Sequence, residues 1–546
     1  MTLCFARLAP LLLLLAAAPP PAAPRPAPTP AEKVAMDNVR GHVEFLADDL
    51  LEGRDTGSRG YEIAARYVAS QFRLLGLEPG GTAGSWFVQV PLRRATTVAP
   101  TARITLARDG QATVLRWGQD AALRPSLTER KRTIDAPLVF VGFGLDEPLL
   151  KFDDYRGLDT RGAFVVVLAG APTGLPTEID AHLGTVKAET AFRHGAVGLI
   201  EIGGSGRRDT NITRDASRTT MHWVDREGRN GGAPLRAIVS LSREWQAKLF
   251  DGTLRTLAAV RAEARTGRPR GFALPGRLSL TAETSWSDFT SPEVVGRLPG
   301  TDPLRAGEHV VLMGHLDHLG IDKDTKPGAD AIYNGALDNA AGVATMLEAA
   351  REFVASGRPP ARSVLFVANT GEEKGLLGAD YLAAHSPVPA GSITSVVDLD
   401  MPLPLYDFTD VTAFGGDHST IARTIAEAGA AMGVRVSPDP MPKESIFTRS
   451  DHYQFVKRGV PAILLMTGYA NGGEAVWKHF LAKTYHSPAD DLSQPISWRA
   501  LARYGELNYR IARALADAPD RPRWYANDYF GDRFAPGQPR APAMAR

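Results

Sequence analysis

Glu308-His-Val-Val-Leu-Met-Gly-His315-Leu-Asp317-His318 carries an apolar run that leads straight into imidazoles and a carboxylate. Unbroken by polar alternation, it suits a strand buried on both faces of a sheet. A second such run, Ser363-Val-Leu-Phe-Val-Ala-Asn-Thr-Gly-Glu372-Glu373, closes on paired carboxylates. Between them, Asn334-Gly-Ala-Leu-Asp338-Asn339-Ala-Ala-Gly342 puts an acid at the mouth of a helix. Downstream, Val396-Val-Asp398-Leu-Asp400-Met401 and Tyr485-His486-Ser-Pro-Ala-Asp490-Asp491 offer the same chemistry. Nitrogen and oxygen donors delivered in this way describe a zinc-type hydrolytic centre better than a folding device.

The surrounding chain supplies the fold that such a centre needs. Val294 to Leu298, Val310 to Met313, Val364 to Ala368, Ser395 to Leu399 and Ala462 to Met466 are short apolar runs. Helical segments separate them: Ala340 to Ala355 carries Val343, Met346, Leu347, Ala350 and Phe353 at helix spacing, Ile421 to Met432 is similar, and a last helix is expected from Trp498 to Ala516. The alternation predicts an α/β domain with a mostly parallel central sheet flanked by helices. Ligands bind beyond the carboxyl ends of such strands, where the donors fall. Singly, His315 also reads as a strand-end histidine, Asp338 as a helix N-cap, and Glu372 with Glu373 as a solvated loop. Together, two imidazoles and three carboxylates on one sheet edge are enough for two zinc ions sharing one carboxylate.

Towards the N-terminus the pattern is helical from Val34, with Val39, Val43, Phe45 and Leu46 on one side, and breaks between Gly53 and Gly60. Tyr61 to Leu75 is an amphipathic helix closed by Gly76, and Ala102 to Leu115 alternates like a hairpin. No donor cluster occurs here, so the expected role is scaffold. Residues 136–242 read as a separate β-rich unit, with runs at Leu138–Gly144, Ala163–Ala169, Val197–Ile202 and Ala237–Leu241 and a helical piece from Leu183 to Arg193. Its histidines, His182, His194 and His222, lack carboxylates at metal spacing and read as core or surface residues.

The 546 residues, 44% hydrophobic and 23% charged with net charge +1, describe a globular protein of at least two domains and give no reason to expect nucleic acid or acidic lipid as partner. Arg7 precedes an apolar run, Leu8 to Ala18, too short to span a bilayer comfortably, which reads as a secretory signal peptide over residues 1–23. The single cysteine, Cys4, falls inside it, so a secreted or periplasmic product would fold without disulfides. The following Ala/Pro tract reads as a linker over 24–33, and residues 518–546, rich in proline, arginine and alanine, as a flexible tail.

Gly314-His315-Leu-Asp317-His318, Gly335-Ala-Leu-Asp338-Asn339-Ala-Ala-Gly342, Thr370-Gly-Glu372-Glu373-Lys-Gly-Leu-Leu-Gly378, Asp400-Met401, Ser450-Asp451-His452 and Tyr485-His486-Ser-Pro-Ala-Asp490 resemble, in order and spacing, the motif series of the co-catalytic zinc aminopeptidases. That family includes bacterial leucine aminopeptidases, glutamate carboxypeptidase II and the single-metal glutaminyl cyclases. The resemblance covers Val34 to about Leu77 and Glu293 to Leu515. Residues 136–242 resemble more weakly a protease-associated domain, through Val139-Phe-Val-Gly-Phe-Gly144 and Arg161-Gly-Ala-Phe-Val-Val-Val167. The implied organisation is a zinc exopeptidase fold over 34–122 and 273–517, with a small α+β protease-associated domain inserted at 123–272.

The resemblance implies two zinc ions per chain: His315 and Asp400 on one, Glu373 and His486 on the other, Asp338 bridging, and Glu372 free as general base. A zinc pair about 3.5–4 Å apart can hold a hydroxide and polarise a carbonyl, while an unligated carboxylate keeps the basicity to take the water's proton. Asp317 is expected to accept a hydrogen bond from the second nitrogen of His315. Tyr485 either donates to the developing oxyanion or simply packs. His318 and His452 are expected to line the cleft without ligating, and Asp398 to cede the ligand role to Asp400. Asn369 and the Met401-Pro-Leu-Pro404 exit depart from the family pattern and bear on side-chain preference. The implied activity is an exported aminopeptidase acting on peptides. A carboxypeptidase or dipeptidase, a glutaminyl cyclase and a non-catalytic receptor-like protein are the alternatives.

Overall fold

The computed structural model describes residues 27–203, 211–232 and 234–544, so the expected signal peptide lies outside the described residues. Among the described residues no helix is long and apolar enough to cross a membrane. Helix α1 spans Pro30–Leu46, starting inside the stretch expected to be linker. Thr29 explains this: its hydroxyl accepts from Glu32 N (3.2 Å) while the Glu32 carboxylate accepts from Thr29 N (2.7 Å). Such a reciprocal cap stabilises a helix start by about 1 kcal/mol. Helix α2, Arg59–Leu74, buries Tyr61, Ala65, Val68 and Phe72.

After strand β1 (Phe87–Thr97) the chain enters a second unit with its own hydrophobic core. Strands β2 (Arg103–Arg108), β3 (Lys131–Phe140), β4 (Phe164–Leu168), β5 (Gly198–Ile202) and β6 (Ala237–Leu241) form its sheet, with β3 to β6 parallel in that order. The expected hairpin at 102–115 is present, β2 pairing antiparallel with Gln111–Leu115. A helix, α3 (Thr177–Thr185), and a short one after it occupy the piece read as one helix.

Strand β7, Phe272–Leu298, is 27 residues long and belongs to both units. Its first half pairs with β2 and β3, and its second half with β1 and the central sheet. The expected domain boundary at 272/273 is therefore not a boundary. Pro275-Gly276 marks only a β-bulge, with the register shifting between Leu274 and Arg277, and Leu274, Leu278, Leu280 and Ala282 contribute to the second core together with Ile104 and Leu106, all outside 123–272.

The central sheet continues through β8 (His309–His315), α4 (Ala341–Ala355), β9 (Ser363–Asn369), α5 (Leu377–Ala384), β10 (Ile393–Asp398), β11 (Asp410–Phe414) and β12 (Ala462–Thr467). Across the sheet the order is β7-β9-β8-β10-β12-β11; β9, β8, β10 and β12 run parallel and the flanking strands antiparallel. Helix α4 is buried almost all round, as a helix between other helices and a sheet must be. Helix α6, Trp498–Asp517, covers it with Leu501, Tyr504, Leu507, Ile511 and Leu515.

The stretch 518–546, expected to be a flexible tail, packs on the body. Trp524 and Phe530 are each 1% exposed, Trp524 Nε1 donates to Gly459 O (3.0 Å), and a short helix α7 runs over Tyr529–Phe534. Its proline and arginine content concealed these aromatic anchors. The same region holds a half-buried ionic junction between the two units and the C-terminal stretch: His418 Nδ1 lies 2.6 Å from Asp528 Oδ2, and Nε2 lies 3.1 Å from Glu178 Oε2 on α3. Burial pushes this imidazole down, but its hydrogen bonds to Asp528 and Glu178 more than offset that and raise it to about 10. A raised pKa contributes stability that is complete below the unfolded value of about 6.5 and is lost as pH rises through about 10. His418→Gln is expected to cost about 1.5–3 kcal/mol, the scale of a hydrogen bond to a charged group. In urea unfolding its deficit against wild type should be full at pH 6 and shrink as pH rises from about 6.5 towards about 10; a deficit independent of pH would refute the charged junction.

Candidate metal centre

The C-terminal ends of β8, β9 and β10 lie side by side, because the parallel register pairs Gly314 with Ala368 and Met313 with both Val367 and Asp398. The side chains that follow each strand therefore project into one space. His315, the last residue of β8, is 1% exposed, and its Nδ1 lies 3.0 Å from the carbonyl oxygen of Asp317. A carbonyl can only accept, so Nδ1 donates to it and Nε2 is the nitrogen that faces the centre. Facing it are Asp338 Oδ1 at 3.1 Å and Asp400 Oδ1 at 3.2 Å.

On the other side of Asp338, His486 Nε2 lies 3.3 Å from Asp338 Oδ2 and 3.2 Å from Glu373 Oε2. Asp338 thus turns one oxygen to His315 and the other to His486. The structure brings together all five expected donors. Glu372 lines a cavity together with Asp338 and Asp400 while making none of these short donor contacts. His318, expected to stand aside, has Nδ1 2.7 Å from Glu373 Oε1 and forms a second group of potential ligands with Asp338 and Glu373; the first is His315, Asp338 and Asp400. Glu373 is thus addressed by two imidazoles.

The electrostatics fit divalent cations. Burial alone would push His315 down, yet Asp400, Glu372 and Asp338 hold it well above its ordinary value. His486 likewise overcomes burial through Asp338 and Glu373 and rises to about 10. Burial pushes Asp338 up, but its hydrogen bonds with His315 and His486 hold it far below the usual carboxylate range. The two imidazole shifts show surroundings that stabilise positive charge. His318 Nε2 is buried with no hydrogen-bond partner, which is costly unless an ion or solvent satisfies it. Imidazole nitrogens and carboxylate oxygens in this number are a zinc donor set. Burial, with Glu373, Asp400 and Asp451 nearby, pushes the Glu372 carboxyl well above its usual range, and His315 opposes this.

The supporting contacts differ in part from expectation. Asp317 orients His315 through its main-chain carbonyl, because the chain folds back after the strand end; its carboxylate instead accepts from Thr56 Oγ1 (2.8 Å) and Glu372 N (3.2 Å). Asp398 accepts from Ser450 Oγ (2.7 Å) and His452 N (3.2 Å), and the same Ser450 hydroxyl lies 3.0 Å from Asp400 Oδ2. Asn369, the register partner of His315, is buried and donates to Asp451 Oδ2 (2.7 Å). Asp490 accepts from Leu337 N (2.9 Å) and Asp338 N (3.0 Å), pinning the segment that presents Asp338. Sequence reasoning gave Asp490 no role and passed over Thr56 entirely; a polar triplet, Arg54-Asp-Thr56, inside the Gly53–Gly60 break was the available signal.

Tyr485 stacks on His486 with ring centroids 3.8 Å apart and lines a cavity of about 800 Å³ beside Glu372 and Asp400. The apolar part of the cavity lining is Met401, Met441, Ile446, Met466 and Trp477, and Lys443 and Arg449 also line it.

Residues 293–512 match the model of peptidase family M28. A protein of Leptosphaeria maculans described as a probable zinc metalloprotease is 26% identical over 220 residues, 35% of this chain and 50% of that protein. One of the same description from Pyricularia oryzae is 25% identical over 324 residues, 53% of this chain and 61% of that protein. The chain thus spans about half to three fifths of the length of these curated relatives. Among solved structures, an aminopeptidase from Aneurinibacillus sp. strain AM-1 is similar with a TM-score of 0.48 and 20% identity, covering 89% of this chain and 95% of that one.

Proposed function

Given that residues 293–512 match the model of peptidase family M28, we propose that the protein is a zinc-dependent aminopeptidase that hydrolyses N-terminal residues from peptides. The observation that carries the reading is the split of Asp338, one oxygen towards His315 and the other towards His486, with an uncommitted Glu372 beside it. His315, Asp338 and Asp400 would hold one zinc ion, and Asp338, Glu373 and His486 the other. Bound there, zinc supplies Lewis acidity to a carbonyl oxygen and to water.

The chain's own residues do the rest. Glu372 takes the proton of the attacking water and returns it to the leaving amine; burial among other acids gives it the proton affinity this needs. Its main-chain N–H, held by Asp317, fixes where that carboxylate starts. Tyr485, braced by His486, directs its hydroxyl group to oxygen charge developing on the substrate. The carboxylates of Asp338, Glu372 and Asp400 in the cavity lining suit a substrate's free α-ammonium, and its apolar residues suit a bulky side chain.

A carboxypeptidase or dipeptidase reading draws on Lys443 and Arg449, which could instead receive a C-terminal carboxylate. A panel of aminoacyl anilides and peptides, free and N-acetylated, run with metal analysis and a chelator control, separates the two. Expected are cleavage of free N-termini only, loss of activity on chelation with recovery on adding zinc, and a preference of about 10–200-fold for Leu, Met or Phe over Ala, the range hydrophobic pockets give. Cleavage confined to N-acetylated peptides would overturn the aminopeptidase reading.

A further inference from the structure

Arg54 lies in the segment that the sequence assigns to scaffold, yet its guanidinium is 1% exposed and reaches the back of the metal centre. Its Nε donates to Leu316 O (2.9 Å), Nη1 to Asn334 O (2.6 Å) and to Leu46 O, and Nη2 to Gly335 O (3.1 Å). Leu316 sits between His315 and Asp317, and Asn334-Gly335 opens the segment that delivers Asp338. One planar fork therefore joins the end of α1 to the two segments that present donors from opposite sides of the centre.

The neighbours of Arg54 act in the same direction. Its carbonyl accepts from His318 N (3.2 Å), and Thr56 Oγ1 donates to the Asp317 carboxylate (2.8 Å). Asn334 Nδ2 returns the contact by donating to Ala47 O (2.9 Å) and Asp49 Oδ1 (2.8 Å). The turn that inserts Arg54 is built for it: Glu52, Gly53 and Arg54 all have positive φ (51°, 66° and 49°). A Cβ at Gly53 would lie 2.5 Å from both Gly320 O and Tyr333 O, so only glycine allows this approach. Among the described residues Arg54 makes no ion pair; the acids that act on its charge are Asp490, Asp317, Asp338 and Glu373, although burial still lowers the guanidinium to about 10.

We infer that Arg54 is a positioning residue for the metal centre, fixing the His315–His318 and Asn334–Asp338 segments at the separation two cations require and offsetting the charge of the acids there. Lysine, with its three donors on a point charge, cannot reproduce the fork. The inference rests on the two-zinc reading above and adds to it a residue that touches neither metal nor substrate.

The test is a zinc titration of metal-free protein against a competing chelator, for wild type, Arg54→Lys, Arg54→Met and Thr56→Val, with thermal unfolding of each zinc-free form. Wild type is expected to take up two zinc ions. Arg54→Lys should unfold near the wild-type temperature when zinc-free but bind at least one zinc about 10–100-fold more weakly, the scale of losing a contact that orients ligands. Its kcat should recover at saturating zinc, with KM for peptide unchanged. Thr56→Val should show a smaller loss of the same kind, and it carries the test if Arg54→Met does not fold. Wild-type zinc affinity in both Arg54→Lys and Thr56→Val would overturn the positioning role alone. A wild type that takes up no zinc would overturn the reading of the centre, and this assignment with it.

Discussion

Glu372→Gln is expected to keep both zinc ions and to lose turnover by about 10²–10⁴-fold, the contribution of a positioned general base. The substitution preserves shape and removes only the capacity to accept a proton. Nothing that would hold zinc is disturbed, because Glu372 makes none of the short contacts that define the donor groups, and its main-chain N–H to Asp317 Oδ1 is unaffected by the side chain. The loss should fall on kcat with KM little changed, since a proton transfer is realised in the transition state and not on binding. Metal content by elemental analysis alongside steady-state kinetics checks this. A variant with near wild-type kcat would remove Glu372 from the mechanism, and one that has lost zinc would make it a ligand.

Asp338→Ala should have the broader effect. Its two oxygens face His315 and His486 separately, so its removal unmakes both donor groups, whereas Asp400→Ala or His486→Ala should each weaken one. Activity is expected to fall to background, and the protein should lose its response to zinc in thermal unfolding. A ligand at a thousandfold excess over its dissociation constant stabilises by about 4.1 kcal/mol per site. Wild type should show a shift of that order on zinc addition and Asp338→Ala none. Retention of one tightly held zinc by Asp338→Ala would mean that the carboxylate is not shared.

Much of the centre was legible because a parallel sheet delivers side chains in a way that sequence records: an apolar run stops, and the next polar residues sit at the ligand edge. His315, Glu373 and Asp400 all obey this rule, and the structure brings them together with Asp338 and His486. What orients them was less legible, because orientation depends on main-chain atoms and distant segments. The partner of His315 is the Asp317 carbonyl, which any residue would supply, so reading the side chain chose the wrong atom. Thr56 meets Asp317 across 261 positions of sequence, and no local pattern announces the contact. His318 is expected from sequence to line the cleft without ligating, yet its ring lies 5.8 Å from that of His486 and both address Glu373.

The larger errors came from composition. Residues 518–546 looked unstructured by their proline and arginine content, but Trp524 and Phe530 fill holes in the core, and a few aromatic anchors outweigh many polar neighbours when each buries 150–250 Å² or so. The change of character at Pro275 looked like a domain edge and is a bulge within a single strand.

Strand β7 has a mechanical consequence. The chain crosses between the two units at β7 and again near Val98, where Val98 N donates to Glu283 O (2.9 Å), so both crossings are locked into sheet. Neither offers a swivel. Force applied to the smaller unit travels along a stiff 27-residue beam whose far end, Val294 to Leu298, abuts β9, the strand that leads to Glu372 and Glu373. Excising the smaller unit would cut that beam's support and leave half its length as a bare, aggregation-prone edge.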